Sequence, residues 1–111
     1  MLNKIELMGR LVADPELRYT TSQKPVATFT LAVDRDYSNS GGDRQTDFVN
    51  CVAWNQGAEF ISKQFFKGKL MALVGRLQSR KWQDDNGKTH TDWEVNVENV
   101  YFCGDGKQER V

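Results

Sequence analysis

The sequence predicts an all-β domain, a five-stranded barrel with one short helix between its third and fourth strands. Period-two alternation of apolar and polar residues recurs in five runs along the chain. It gives way only once, to a spacing of three and four residues. Interior glycines, Gly9 and Gly75, stand where long strands would have to bend.

The first run, Asn3 to Val12, sets Ile5, Leu7 and Gly9 against Lys4, Glu6 and Arg10. It ends at Ala13-Asp14-Pro15-Glu16, where proline stops the ladder and favours a turn. The second, Val26 to Tyr37, places Ala27, Phe29, Leu31 and Val33 on one face and Thr28 and Thr30 on the other. The stretch Ser38 to Asp43, with its paired glycines, reads as a flexible loop. A third strand, Thr46 to Trp54, has Val49, Cys51 and Ala53 on one side and Phe48, Asn50, Val52 and Trp54 on the other. Ala58, Ile61, Phe65 and Phe66 then follow helical spacing, in a helix of about ten residues with Gly57 before it and Gly68 as a left-handed cap. Alternation resumes at Lys69. Met71, Leu73, Gly75 and Leu77 face one way; Ala72, Val74, Arg76, Gln78, Arg80 and Trp82 face the other. Asn86-Gly87 marks a hairpin turn, and a last strand from Thr89 to Phe102 puts Trp93, Val95 and Val97 on a shared face. This order is that of the OB-fold, a Greek-key barrel that removes most exposed edges and often binds oligonucleotides or oligosaccharides. Residues 1–103 form the domain in this reading, and residues 104–111 a short flexible extension.

Length and composition fit one globular domain: 111 residues, 39% hydrophobic and 27% charged. No apolar run approaches the ~20 residues that cross a bilayer. The N-terminus alternates like a strand and carries no leader-type apolar core, which places the chain in the cytoplasm, with the nucleoid as its setting if it binds DNA. Cys51 and Cys103 stand far apart without His or Cys neighbours, so no metal is expected and Cys51 reads as a buried free thiol. Fifteen basic and fifteen acidic residues cancel, which argues against holding duplex DNA by charge alone but not against stacking. His90, the only histidine, reads as a solvated strand position with Asp92 two residues on. With no phosphate-binding loop and no nucleophile–base pair, neither a catalytic site nor a cofactor is expected.

The parity of the aromatics is more informative. Phe48 and Trp54 share the face opposite the small apolar residues of their strand, about 20 Å apart. Trp82 shares parity with Arg76 and Arg80, and Lys81 adjoins it. Exposed rings beside cations suit unpaired bases, which offer π-faces while their phosphates seek positive charge. The competing readings are a subunit interface or a module that gives this face to a protein partner. The apolar outward pair Ala72 and Val74 also fits a contact between subunits.

Five segments, Asn3-Lys4-Ile5-Glu6-Leu7-Met8-Gly9-Arg10-Leu11, Asp14-Pro15-Glu16-Leu17-Arg18-Tyr19, Val26 to Val33, Thr46 to Trp54, and Val74 to Trp82, stand in this order along the chain. Together they resemble one family, the bacterial single-stranded DNA-binding proteins. The likeness runs over about residues 1 to 102. It implies an OB fold, a homotetramer with a dimer as the fallback, and single-stranded DNA wrapped over the surface during replication, recombination or repair. It puts stacking positions at Tyr37, Phe48, Trp54 and Trp82, and basic contacts at Lys67, Arg80, Lys81, Lys4 and Arg10. Tyr37 shares parity with Val33, so only a bulge or loop start turns it outward. Asn50 departs from the pattern, since many relatives carry a cation there. Trp93 inherits no role and its parity with Val95 makes it a core residue. The resemblance also predicts a long linker and an acidic-hydrophobic tip that docks partners. The last eight residues show neither, as in a short natural form or a truncated one, so partner recruitment through the C-terminus is not expected.

Overall fold

The computed structural model describes residues 1–38 and 44–104, apart from the side chains of Tyr37, Ser38 and Arg44. The loop core and the extension beyond Gly104 therefore lie outside the described residues. The elements are β1 (Ile5–Leu11), β2 (Glu16–Tyr19), β3 (Pro25–Ser38), β4 (Arg44–Trp54), α1 (Asn55–Gln64), β5 (Leu70–Gln83) and β6 (Thr89–Phe102). Their order in the sheet is β1-β5-β6-β4-β3-β2, and a β1–β3 pairing closes five of them into the expected barrel. All pairings are antiparallel except β4–β6, which is parallel at Cys51↔Val95 and Val52↔Asn96.

β2 is an addition to the expected five strands. Pro15 does end the first strand, but the chain turns back and pairs Glu16 to Tyr19 with Thr28 to Pro25. Leu17 packs against the core from this short strand. The helix begins at Asn55, so Gly57 lies inside it rather than before it, and it ends one residue short of Phe65. Gly68 is not its cap. It takes φ of +87° in the turn after it, where Lys69 N donates to the Phe66 carbonyl at 3.0 Å.

Within the barrel, alternation sorts the side chains as predicted. Ala27, Phe29 and Leu31 of β3, Cys51 and Ala53 of β4, Met71 and Leu73 of β5 and Val95 of β6 are buried together. α1 adds Ala58 and Ile61 from its inner stripe, and Phe65 follows. Val52 is buried despite its outward parity, between Thr28 and Asn96 on the strands flanking it. Lys69 is the one buried charged residue among the described residues. Its ammonium lies 5.3 to 5.9 Å from the ring centres of Phe65, Phe66 and Phe102, whose negative faces offset its lost hydration.

Gly75 serves a close approach of backbones rather than a free bend. The β5–β6 register shifts between Val74 and Gly75, and a Cβ at this position would collide with the Asn96 carbonyl. Beyond it the β5–β6 ladder runs unbroken from Gly75↔Val97 to Gln83↔Thr89. Its β4 neighbour reaches β6 only at Cys51↔Val95 and Val52↔Asn96, so the hairpin leaves the barrel as a two-stranded arm. Asn86-Gly87 forms its turn as predicted, with Gly87 at φ of +80° and the Asp84 and Lys88 backbones joined at 3.0 Å.

The arm overturns two expectations. Trp93 is 60% exposed rather than a core residue, and Leu77 is exposed as well. Both keep the parity of the core face, but Trp93 lies past the last β4–β6 pairing, and neither belongs to the packed core among the described residues.

Candidate nucleic-acid interface

The outer face of β3 and β4, flanked by β1 at one end and β2 at the other, carries two rows of side chains set by cross-strand register. One row is Arg10–Ala32–Phe48, the other Arg18–Val26–Trp54. Each ends in an exposed aromatic on β4 and begins with an exposed arginine two strands away, roughly 10 Å across the sheet. Phe48 is 67% exposed and Trp54 42%. Arg18 was not among the sequence candidates. Its even parity with Glu16 is the signal that would have found it, once β2 is recognised as a strand.

Hydrogen bonds hold the β4 end of the first row. Arg35 donates to both carboxylate oxygens of Asp47, at 2.9 and 3.0 Å, and Thr46 Oγ1 donates to Asp34 at 2.7 Å. The hydrogen bond from Arg35 pulls the Asp47 carboxyl below its ordinary range. Together these pairs fix the register beside Phe48. Trp54 ends β4 in extended conformation, and Asn55 after it turns to φ of +58° to start the helix. That turn leaves the indole at the rim.

Between the rows, Thr30 Oγ1 donates to Asn50 Oδ1 at 3.0 Å. Thr28, Thr30 and Asn50 floor a groove that Asp14 and Glu16 edge on one side and the arm walls on the other, at Arg80, Asp92, Trp93 and Glu94. Arg80 lies 3.5 Å from Asp92 and 3.7 Å from Glu94, so its charge is answered within the arm. On the same face Trp82, 40% exposed, donates its Nε1 proton to Asp92 at 2.9 Å and stacks on His90 with ring centres 4.5 Å apart. His90 Nε2 in turn lies 2.8 Å from Asp84, whose carboxyl is held below its ordinary range chiefly by that hydrogen bond. His90 is thus more than a solvated strand position. It stacks over Trp82, whose indole stays 40% exposed.

The structure divides the sequence candidates. Phe48, Trp54 and Arg10 share the rows described above. Lys67 sits in the turn after α1 and its neighbour Gly68 accepts from Arg10 Nη1 at 3.0 Å, which brings Lys67 to the Arg10 end of the first row. Arg80 and Trp82 face together on the arm, whereas Lys81, opposite Thr91, lies on the arm's other face. Lys4 stands on the β1–β5–β6 side of the barrel, paired with Glu98. The Tyr37 side chain lies outside the described residues. The β3–β4 register shifts between Asp34 and Ser38. Cys51 is a buried free thiol, and burial, with Glu94 nearby, pushes it up to about 12.

Comparison with known proteins agrees over nearly the whole chain. The model of the Single-strand binding protein family matches residues 2–103. The chain is 46% identical over 102 residues to the "Single-stranded DNA-binding protein" of Caldanaerobacter subterraneus subsp. tengcongensis, covering 92% of this chain and 68% of that protein. It is 47% identical over 102 residues to "Single-stranded DNA-binding protein A" of Bacillus subtilis, covering 92% and 59%. The figure for the Enterococcus faecalis "Single-stranded DNA-binding protein" is 48% over 99 residues, covering 89% and 53%. The chain thus spans from 53% to 68% of the length of these relatives. With a family match of this extent, the barrel and its aromatic face have a plain assignment: the chain belongs to the single-strand binding protein family.

Proposed function

We propose that this chain binds single-stranded DNA with little sequence preference, stacking bases on Phe48, Trp54 and Trp82 and leading phosphates past Arg10, Arg18 and Lys67. The observation that carries the reading is the pair of arginine-to-aromatic rows on the outer sheet face. Two exposed rings about 20 Å apart, each with a cation across the sheet, match a strand whose bases unstack toward the protein. Tyr37, Arg80, Lys81 and Lys4 complete the proposed contacts, with Arg80 and Lys4 giving up their acidic partners to phosphate. The function is binding rather than catalysis, and it belongs in the cytoplasm with DNA exposed by replication, recombination or repair. We place the chain in a homotetramer. Met8 and Tyr101, both exposed, and the half-buried Ala72 between them form an apolar row across β1, β5 and β6 that a second copy would cover.

Titration of tryptophan fluorescence with oligo-dT tests the reading. Strong quenching by single strands and weak response to a duplex of equal length are expected. Equal affinity for the duplex would overturn it, because paired bases cannot offer their faces to these rings. Light scattering gives the assembly: a monomer at micromolar concentration would refute the tetramer.

A further inference from the structure

The arm of β5 and β6 has two unlike faces. Its ladder is unbroken from Gly75 to Gln83, so alternation assigns every side chain beyond the barrel. One face carries Gln78, Arg80 and Trp82 opposite Glu94, Asp92 and His90. There the polar groups answer one another, through Arg80 with Asp92 and Glu94 and through Trp82 Nε1 with Asp92. The other face carries Ser79, Lys81 and Gln83 opposite Trp93, Thr91 and Thr89. The arm places no acidic side chain on this face, and the carboxylates around Trp93 from outside the arm are Asp14 and Glu16, which line the same groove. Its tryptophan is 60% exposed, against 40% for Trp82. Lys81 pairs with Thr91, so Trp93 is its diagonal neighbour, within reach of a long side chain. Among the described residues Lys81 makes no ion pair.

We propose that the Lys81–Trp93 face of the arm is a second platform for single-stranded DNA, on the side opposite Trp82. The inference rests on the single-strand reading above and extends it to a residue which that reading leaves unused. The chemistry favours a nucleic acid over a second copy of the chain. A bare indole beside a cation, flanked by the hydroxyls of Ser79, Thr89 and Thr91, offers a base its ring and a phosphate its charge and hydrogen bonds. An apolar partner surface would leave Lys81 without an answer, and the apolar row at Met8, Ala72 and Tyr101 lies elsewhere. A strand that reaches the arm then has a ring on either face, and the hairpin inserts into it like a wedge.

The chain has three tryptophans, which makes a direct experiment available. In the W54F/W82F variant Trp93 is the only one. Saturating oligo-dT, with binding followed by the anisotropy of an end label, should quench the remaining emission. In the otherwise unaltered chain, Trp93→Ala should weaken oligo-dT binding by about 5- to 150-fold, the loss of one stacked base, and Trp93→Phe should restore most of it. Lys81→Gln should flatten the salt dependence by about 0.7 in slope, one phosphate contact. Unquenched Trp93 emission at saturation would overturn the proposal. So would full affinity in Trp93→Ala while Trp82→Ala binds weakly, an outcome that leaves the underlying reading intact. Loss of the oligomer in Trp93→Ala, with unchanged affinity per assembled particle, would assign this face to a subunit contact instead. Failure of the unaltered chain to bind oligo-dT would overturn both readings.

Discussion

The barrel and the arm share two strands, β5 and β6, yet they obey different rules. Leu73 and Leu77 have the same parity on β5; the first is buried and the second exposed. Val95 and Trp93 repeat the contrast on β6. Inside the barrel, a strand has the core on one side and water on the other, so alternation reports burial. Past the last β4–β6 pairing both sides meet water, and alternation reports only which face a residue shares with its neighbours. A change in burial therefore marks where the barrel stops, a boundary that period-two patterning cannot mark.

The sharpest way to break this contrast is to truncate the two leucines. Leu73→Ala should cost about 2–5 kcal/mol of folding stability, as deletion of a packed core side chain does, and Leu77→Ala less than about 1 kcal/mol. Urea denaturation measures both, and equal costs would mean that the arm is packed against something. The next effect is on binding: Trp54→Ala and Trp82→Ala should each weaken oligo-dT affinity by about 1–3 kcal/mol. Their denaturation midpoints should stay close to that of the unaltered chain. An unfolded Trp54→Ala would place that ring with the core rather than the binding face.

The two thiols extend the comparison. Cys51 is buried in the barrel and its thiol is pushed up to about 12, while Cys103 is partly exposed. An alkylating reagent at pH 8 should therefore modify Cys103 in the native protein and both residues only after unfolding. The raised value has a stability consequence of definite sign. Below the ordinary thiol range near ~8.5 the contribution is fully present, and it is lost as pH rises from there toward about 12. The smallest effect belongs to the arm. The lowered Asp84 carboxyl contributes above the ordinary carboxylate range near ~3.9, and that contribution is lost as pH falls through its lower folded value. Amide exchange at Asn86 and Lys88, which both donate to Asp84, should accelerate in that acid range while the barrel amides stay protected.

The legible parts of the fold were those with strong periodicity or a decisive turn. The last strand, the Asn86-Gly87 turn and the ten-residue helix were readable because alternation, a left-handed glycine and the Ala58–Ile61–Phe65 stripe each point one way. β2 was missed because four residues beside a proline carry too short a pattern to separate from a turn, and its pairing with β3 is a tertiary fact. In the candidate site, the outward parity of Phe48, Trp54 and Trp82 was visible in the sequence. Arg18 was not, because its place depends on β2. The split between Arg80 and Lys81 was present in their adjacency, since neighbours on a strand always face apart. Their closeness in sequence disguised it.

The β4–β6 pairing, which joins the two hairpins inside the ring that β1–β3 completes, links only Cys51 with Val95 and Val52 with Asn96, across the helix and all of β5. The two hairpins, β3–β4 and β5–β6, close over short loops and cost little chain entropy, whereas this ladder must wait until both have formed. On this reasoning the β4–β6 ladder is expected to form late in folding, after the two hairpins whose core faces it brings together. Core substitutions at the seam, such as Val95→Ala, should then speed unfolding more than they slow folding, and those within a hairpin should do the reverse.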